Sequence, residues 1–449
     1  MLSAQDNDLL CRTGPGTPMG NLMRQYWIPA LMTSELPVPD GPPLRLRLLG
    51  EDLIAFRATS GAVGIVQNAC PHRGASLFFG RNEEEGLRCV YHGWKFDVDG
   101  RCVDMPSEPA ESNFKAKVRA RAYPTRERNG VIWVYMGPRE QPPPLPDIEP
   151  NLVEGRCAVR KALRECNWMQ GLEGDIDTSH LGFLHFGSSQ PEDAVPGSFD
   201  YYVRKDRAPR YDVLDSEFGT TYGAYRPAEA DTYYWRIAHF LFPFYTMIPT
   251  GDLGKQVLVR AWVPIDDEHM MFWSMAVPET VANGQGGPGS DRPSPNPRGR
   301  GQATNQEWQY LPDTTDWLGR FRLTQNRGND YLIDREAQRR GDSYTGIPGI
   351  HQQDQAVTES MGVIYDRTHE HLGTSDAMVI RTRRRLINAA KALRDHGVTP
   401  PAVDQPELYR VRSGGVILPR GVDWLAATEP LRAPKVPAGE PVVAGHTAP

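Results

Sequence analysis

Residues 70–94 read CPHRGASLFFGRNEEEGLRCVYHGW, with a short pair of metal-donor residues at each end. Cys70 and His72 form a C-x-H pair; Cys89 and His92 form a C-x-x-H pair. Thiolate and imidazole are soft to borderline donors, so this set suits zinc or an iron–sulfur centre. Structural zinc usually takes C-x2-4-C or H-x3-5-H pairs. Here each loop offers one Cys and one His, which suits a two-iron cluster, with a thiolate for one iron and an imidazole for the other. Pro71 stiffens the first loop. Gly74 and Gly93 permit tight backbone, and Trp94 is placed to cover the centre.

The stretch resembles the Rieske motif, C-x-H, a spacer of about sixteen residues, then C-x-x-H. The resemblance implies a [2Fe–2S] cluster, with Cys70 and Cys89 on one iron and His72 and His92 on the other. Neutral imidazole in place of thiolate makes such a cluster less negative and raises its potential. Zinc stays open as the competing reading of the same four donors.

The chain has 449 residues, too long for one ordinary domain, so two domains with sizeable cores are expected. A net charge of -6 argues against nucleic acid as a partner. No apolar run reaches the roughly 18 residues that a span needs, so no membrane association is expected. The opening MLSAQDNDLLCRTGPGTP carries acidic residues and lacks an apolar core, so no secretory signal is expected. The six cysteines make no disulfide framework in a chain this long. Cys11, Cys102, Cys157 and Cys166 read as reduced thiols of a cytoplasmic protein. There is no Walker A loop and no G-x-G-x-x-G opening a helix, hence no nucleotide site.

Residues 1–25 read as a lead-in with a short helix near Met19–Tyr26. Short strand-like runs follow. Arg45 to Arg57 alternates around a hairpin at Gly50-Glu51-Asp52, and 62–67 is a further apolar run. Lys95 to Val103 turns at Asp99-Gly100, and 131–136 closes the series. Close-spaced short strands indicate a small all-β sandwich or barrel over 26–145, with both ligand pairs on loops at one end. The Pro-rich 141–150 is the connector. A second domain is expected over 155–432, with strands at 211–217, 220–226, 232–242, 256–263 and 270–277 in an antiparallel meander. Residues 283–306, nearly devoid of apolar side chains, read as a mobile insertion. A helix is expected over Ala377–His396, stopped by Gly397 and Pro400. Residues 433–449 read as a loose tail.

The second constellation is CNWMQGLEGDIDTSHLGFLHF, residues 166–186. Asp177 and His180, at i and i+3, would share one face of a helix. A continuous helix would turn His185 about 140° away from His180, and a break at Gly182 would let both imidazoles converge. Two histidines in one short segment are two ligands of a 2-His-1-carboxylate triad, which binds non-haem Fe(II) and leaves positions open for oxygen. A His pair is more often ordinary surface or core histidine. What lifts this one is the cluster, which needs an electron acceptor.

The segment resembles the iron-binding helix of the Rieske non-haem iron aromatic ring-hydroxylating oxygenases, D-x-x-H-x-x-x-x-H. LEGDIDTSHLGFLH and ESMGVIYDRTHEHLGTSD look like their phthalate dioxygenase branch, whose oxygenases have one kind of subunit. The resemblance covers nearly the whole chain. It implies an α+β chain: an N-terminal Rieske [2Fe–2S] β domain, then a catalytic domain whose antiparallel sheet grips a long helix. It implies mononuclear Fe(II) on His180 and His185, with Asp177 as the electron-transfer bridge between centres. The third ligand, a carboxylate on a later helix, is carried to Asp354 in HQQDQAVTESMG (351–362); Glu359, Asp366 and Asp376 are weaker candidates, and a solvated helix charge is the plain alternative.

The implied reaction is O2 activation in a bacterial cytoplasm. Electrons come from NADH through a separate flavin/iron–sulfur reductase, and the cluster of one subunit faces the iron of the next in a homotrimer or stacked hexamer. The branch implies an aromatic carboxylate substrate of the phthalate or benzoate type, cis-dihydroxylated; aryl-ether O-demethylation is the alternative. A buried carboxylate needs a cation, and arginine offers a bidentate fork. Arg204, Arg207, Arg210, Arg226 and Arg236 all follow the iron segment. Arg207 is the preferred anchor, with Asp206 holding its free edge, Ser179 as a second contact and Arg210 next in line. Phe240, Phe242 and Phe244 are expected to line the pocket. A Rieske electron carrier and a zinc-stapled binding protein are the readings from other classes.

Overall fold

The computed structural model describes residues 1–109, 111–153, 155, 157–280 and 308–434. The expected insertion at 283–306 lies outside the described residues, as does nearly all of the expected tail.

The N-terminal half holds three small antiparallel sheets. Trp27–Met32 pairs with Val131–Tyr135, which pairs with Thr125–Arg128. Leu44–Leu48, Glu51–Arg57 and Val63–Gln67 form the second sheet, joined by a turn at Leu49-Gly50 rather than at Gly50-Glu51-Asp52. Both turn residues have positive φ, the twist that a two-residue hairpin requires. The third sheet runs Arg81–Glu83, Gly86–Arg88, Lys95–Phe96 and Cys102–Asp104. Its first hairpin turns on Glu84-Glu85, both left-handed although neither is glycine, and the Lys95 ammonium donates to the Glu84 carboxylate, 3.1 Å. Ile54, Phe56, Leu77, Leu87, Trp94 and Phe96 pack with Cys70 and Cys89 in a core of their own.

The C-terminal half is built on one antiparallel sheet. Its order is Ala158–Arg164, Met270–Ala276, Leu258–Pro264, Tyr245–Met247, Thr232–Leu241, Gly219–Pro227, Arg210–Ser216, and Gly414–Pro419 adds to Thr232–Leu241. The five expected strands are present. The strands at 158–164, 245–247 and 414–419 were not legible. Thr232–Leu241 reads as nearly continuous apolar because both of its faces are covered. Trp235 and Ile237 pack outward under Trp424 of the helix Trp424–Arg432. Ala238 and Phe240 point into the main core.

The two helices that matter most here lie against the sheet's inner face. Trp168–Ile176 sits on Tyr245–Met247 and Leu258–Pro264. Gly171 lets it approach: a Cβ there would stand 2.5 Å from the Trp262 ring. Ala377–His396 packs on Gly219–Pro227 through Met378, Thr382, Leu386 and Ala390 and ends at a left-handed Gly397, as its periodicity predicts. Residues 1–25 are more than a lead-in. They form helices Ala4–Cys11 and Pro18–Met23, which pack on Ala377–His396. Asn167 donates to the Cys11 carbonyl and the Trp168 indole to that of Leu10. Among the described residues no helix is long and apolar enough to cross a membrane.

Candidate metal centres

The two Cys–His loops have one backbone design. Cys70 N–H donates to Ala75 C=O and Cys89 N–H to Trp94 C=O, each at 2.8 Å, so each loop closes five residues on. Gly74 and Gly93, four residues after each Cys, donate back to that Cys carbonyl at 2.9 Å from left-handed φ. At Gly93 a side chain would also strike Pro106, 2.6 Å from the added carbon. The loops thus bring like donors into like positions. Both cysteines are buried, and burial pushes the Cys70 thiol up to about 11. A coordinating thiol is deprotonated outright, so a metal reverses that shift.

The His72 and His92 rings stand 4.4 Å apart, and Trp94 stacks on His72 at 4.3 Å. His72 Nδ1 is buried with no hydrogen-bond partner, as a ligand atom awaiting its metal would be. These donors fit a [2Fe–2S] cluster. Phe79, Val90, Tyr91 and Phe114 stand exposed on and beside these loops.

The second constellation forms differently from the sequence expectation. Helix Trp168–Ile176 stops before Asp177, so Asp177 and His180 do not share a helix face. Asp177 takes the C-cap position, and its Oδ1 accepts from Ser179 N–H at 2.6 Å, a local turn that competes with helix. His180–Gly182 is a single 3-10 turn. This break, placed before His180 rather than at Gly182, swings the two imidazoles together.

The His180 and His185 Nε2 atoms are 3.2 Å apart. Asp354 Oδ1, on the helix Ile350–Ser360, lies 3.2 Å from His185 Nε2 and 3.6 Å from His180 Nε2. Cis ligands at about 2.1 Å from a metal stand about 3 Å apart, so these three atoms define one face of an octahedron. Among the described residues no further His, Cys, Asp or Glu joins this group. Burial opposes the ionised form of Asp354, but the charges of His185, His180 and Arg164 outweigh it and hold the carboxyl well below its usual range.

Each ligand is held from behind. His185 Nδ1 meets Gln353 Oε1 at 2.7 Å, which directs Nε2 to the metal position. The Gln353 amide is itself oriented by donating to Ile347 C=O and Thr345 Oγ1. His180 Nδ1 faces Asp177 Oδ2 at 3.4 Å. Burial would raise the pKa of Asp177, but its hydrogen bond to His180 overrides this and keeps it ionised. Buried Arg164 faces His351 Nδ1 at 3.3 Å, donates to Thr358, and acts on Asp354 through its charge. Gln353 and Arg164 had no sequence signal, since neither lies in a metal-donor pattern. Gln353→Leu is expected to weaken mononuclear metal binding about ten- to a hundredfold. Chelator competition measures this, and the visible spectrum of the cluster should stay unchanged.

The weaker carboxylate candidates are employed elsewhere. Glu359 is buried and accepts from Tyr331, Gln355 and Glu165 N–H. Asp366 is exposed and binds Thr368, and Asp376 caps Gly373 N–H. Ser179 Oγ meets Tyr211 Oη at 2.7 Å, beside His180. Arg207 is partly buried, donates to Ser189 C=O and lies over the Phe183 ring. Asp206 does not hold it: that carboxylate caps Ala208 N–H and stands 4.0 Å from Arg210, which projects into solvent. Phe240, Phe242 and Phe244 pack among the apolar side chains of the main core, the plain alternative for them as sheet packing.

Residues 26–124 match the Rieske [2Fe-2S] domain family, and residues 134–287 and 299–433 match the family described as LigXa C-terminal domain like. The chain is 48% identical over 432 residues to the 3-chlorobenzoate-3,4-dioxygenase oxygenase subunit of Comamonas testosteroni, covering 96% of this chain and 98% of the relative. It is 38% identical over 444 residues to the phthalate 4,5-dioxygenase oxygenase subunit of Pseudomonas putida, covering 94% of each. Among solved structures it is similar to dicamba monooxygenase bound to dicamba, with a TM-score of 0.53 at 17% identity over 83% of this chain and 99% of that one. A likeness this remote in sequence shows the fold, which is that of Rieske oxygenases. By its two family matches and its near full-length relatives, this chain belongs to the Rieske-type aromatic ring-hydroxylating oxygenases, as an oxygenase subunit with an N-terminal [2Fe–2S] domain.

Proposed function

We propose that the chain hydroxylates an aromatic carboxylate of the phthalate or substituted benzoate type, as the terminal oxygenase of a system in bacterial aromatic catabolism. The observation that carries this is the convergence of His180, His185 and Asp354 on one face, in a chain that also bears a cluster site. Fe(II) held there would supply O2 activation. In a cis-dihydroxylation one O2, two electrons and two protons are consumed, and both oxygen atoms enter the ring. The electrons come from NADH through a separate flavin/iron–sulfur reductase. The work falls to residues 26–145 for the cluster and 155–432 for substrate and oxygen, in the bacterial cytoplasm.

The chain's own groups divide this work. His185, fixed by Gln353, and His180, fixed by Asp177, present Nε2 lone pairs to the metal, and Asp354 supplies the charge. Three protein ligands of this kind would leave a bound Fe(II) with positions free for oxygen. Asp177 is the bridge through which electrons arrive. The cluster loops have a core of their own, separate from the side chains behind His180. An inter-subunit path fits this: His72 or His92 of one copy reaches Asp177 of the next in a homotrimer or stacked hexamer. The exposed Phe79, Val90, Tyr91 and Phe114 are apolar surface that such a contact would cover.

Ser179 and Arg207 are the polar contacts offered to the substrate at the cavity entrance, with exposed Arg210 outside them. Arg207→Met should raise the KM for aromatic acids about tenfold, the effect of losing one charge-assisted hydrogen bond. Reduction of the cluster by the reductase should be unaffected, and stopped-flow absorbance checks that.

The deciding experiment is product analysis on a panel of phthalates, benzoates and aryl ethers with reductase, NADH and O2. A cis-diol from an aromatic acid supports the proposal. Formaldehyde from a methoxyarene moves the reaction to O-demethylation, and the 5,5'-dehydrodivanillate O-demethylase oxygenase subunit of Sphingobium, 39% identical over 60% of this chain, keeps that arm in the panel. Cluster reduction without any product would leave an electron carrier.

A further inference from the structure

Three arginines on the inner side of the sheet are buried without enough partners. Arg226 is 0% exposed, Arg236 2% and Arg204 3%. A guanidinium presents five donors and keeps its proton. Arg226 Nε donates to the Asp206 carbonyl at 2.7 Å, but Nη1 and Nη2 are buried with no acceptor. Arg236 leaves Nε and Nη1 in the same state. Arg204 Nε donates to Ser189 Oγ at 2.7 Å, while its Nη1 and Nη2 lack hydrogen-bond acceptors. The nearest carboxylate, Asp200 Oδ2, stands 3.7 Å from Arg204 Nη1, beyond hydrogen-bonding reach. Burial, and then the charge of Arg236, bring Arg226 down to about 10.

Strand register sets where these cations lie. Arg226 pairs with Tyr234, and Arg236 with Ala224, so the two arginines are diagonal neighbours on one face. Tyr211 also pairs with Ala224, which makes Tyr211, Ala224 and Arg236 one row across three strands. Tyr211 reaches Ser179, next to His180. Arg226 therefore lies on the strand next to the one that meets the metal segment, and Arg236 one strand further, about two strand spacings or roughly 10 Å away. Arg236 lies 4.2 Å over the Phe199 ring and Arg204 4.5 Å over that of Phe186, so the surroundings are dry and aromatic. Helix Phe199–Lys205 supplies Arg204 and packs on the Gly219–Pro227 strand. An anion reaches the sealed donors only when that cover lifts.

We propose that Arg226, Arg236 and Arg204 form an anion-binding site for the substrate beside the metal segment, and that their paired orphan donors select an aromatic dicarboxylate over a monocarboxylate. The carboxylates of Asp200 and Asp193 act on Arg204 and that of Asp206 on Arg226 only at a distance, and none of them satisfies the orphaned donors. Each carboxylate accepts bidentate bonds from a guanidinium fork, and the donors left orphaned here come in such pairs on Arg226 and Arg204. This rests on the aromatic-acid reading above and narrows it.

Titration calorimetry on the metal-loaded protein tests it with the 1,2-, 1,3- and 1,4-benzenedicarboxylates, benzoate, 3-chlorobenzoate and dimethyl phthalate. The wild type should bind one diacid at least tenfold tighter than either monoacid and the diester not measurably. Arg226→Gln and Arg236→Gln should each weaken that diacid about ten- to a hundredfold, with the cluster spectrum intact. Arg226→Lys, which keeps charge but loses the fork, should fall between. Equal wild-type affinity for diacid and monoacid overturns the selectivity without needing any variant to fold. Unchanged affinity in folded Arg226→Gln and Arg236→Gln overturns the anchor while the aromatic-acid reading stands. If the wild type binds no aromatic acid and turns none over, the aromatic-acid reading itself fails, and this inference with it.

Discussion

Cys89→Ser should abolish the red-brown absorbance of the cluster and all turnover, while the mononuclear site still takes up Fe(II). Cys70 and Cys89 pack in a core that includes none of His180, His185 and Asp354, so loss of one thiolate leaves the second set of ligands untouched. Metal and sulfide analysis should find three irons and two acid-labile sulfides in each wild-type chain, against one iron and no sulfide in the variant, on the composition of a Rieske centre plus one Fe. One zinc per wild-type chain with no labile sulfide would refute the assignment of both centres.

The second large effect is expected at Asp177. Asp177→Asn keeps the shape and the hydrogen bond from Ser179 but removes the negative charge that faces His180 Nδ1. Charge-assisted hydrogen bonds are about twice as strong as neutral ones, and both sides of the proposed inter-subunit path depend on this one. Both metals should be retained, and cluster oxidation in a single turnover should slow by orders of magnitude. If the variant instead lost its mononuclear iron while transferring electrons normally, Asp177 would act only by orienting His180 within its own subunit.

How much of this was legible in sequence depended on range. The cluster loops were readable because all four donors fall within 25 residues, C70 to W94, and their spacing implies two similar turns. The helix Ala377–His396 was readable because its apolar period and its Gly397 stop are local. The end of helix Trp168–Ile176 was missed because Asp177 is compatible with a helix in a spacing argument. In the fold, its side chain binds Ser179 N–H instead.

By itself, the sequence displayed the Cys–His loops, the His180 and His185 pair, the β-rich order of the first half and the meander of the second, since period, turn chemistry and donor spacing are properties of neighbouring residues, whereas Asp354 came from the family resemblance. Only the tertiary structure decided what meets across distance. Gln353 reaches His185 from 168 residues away. Phe240, Phe242 and Phe244 pack in the main core because the helices cover that part of the sheet. Among the five arginines that follow the iron segment, Arg210, second in line from sequence, went to solvent, while Arg226 and Arg236, not preferred there, were sealed inside. Strand register and burial made that division, because pairing Arg226 with Tyr234 and Ala224 with Arg236 turns both guanidinium groups to the inner face.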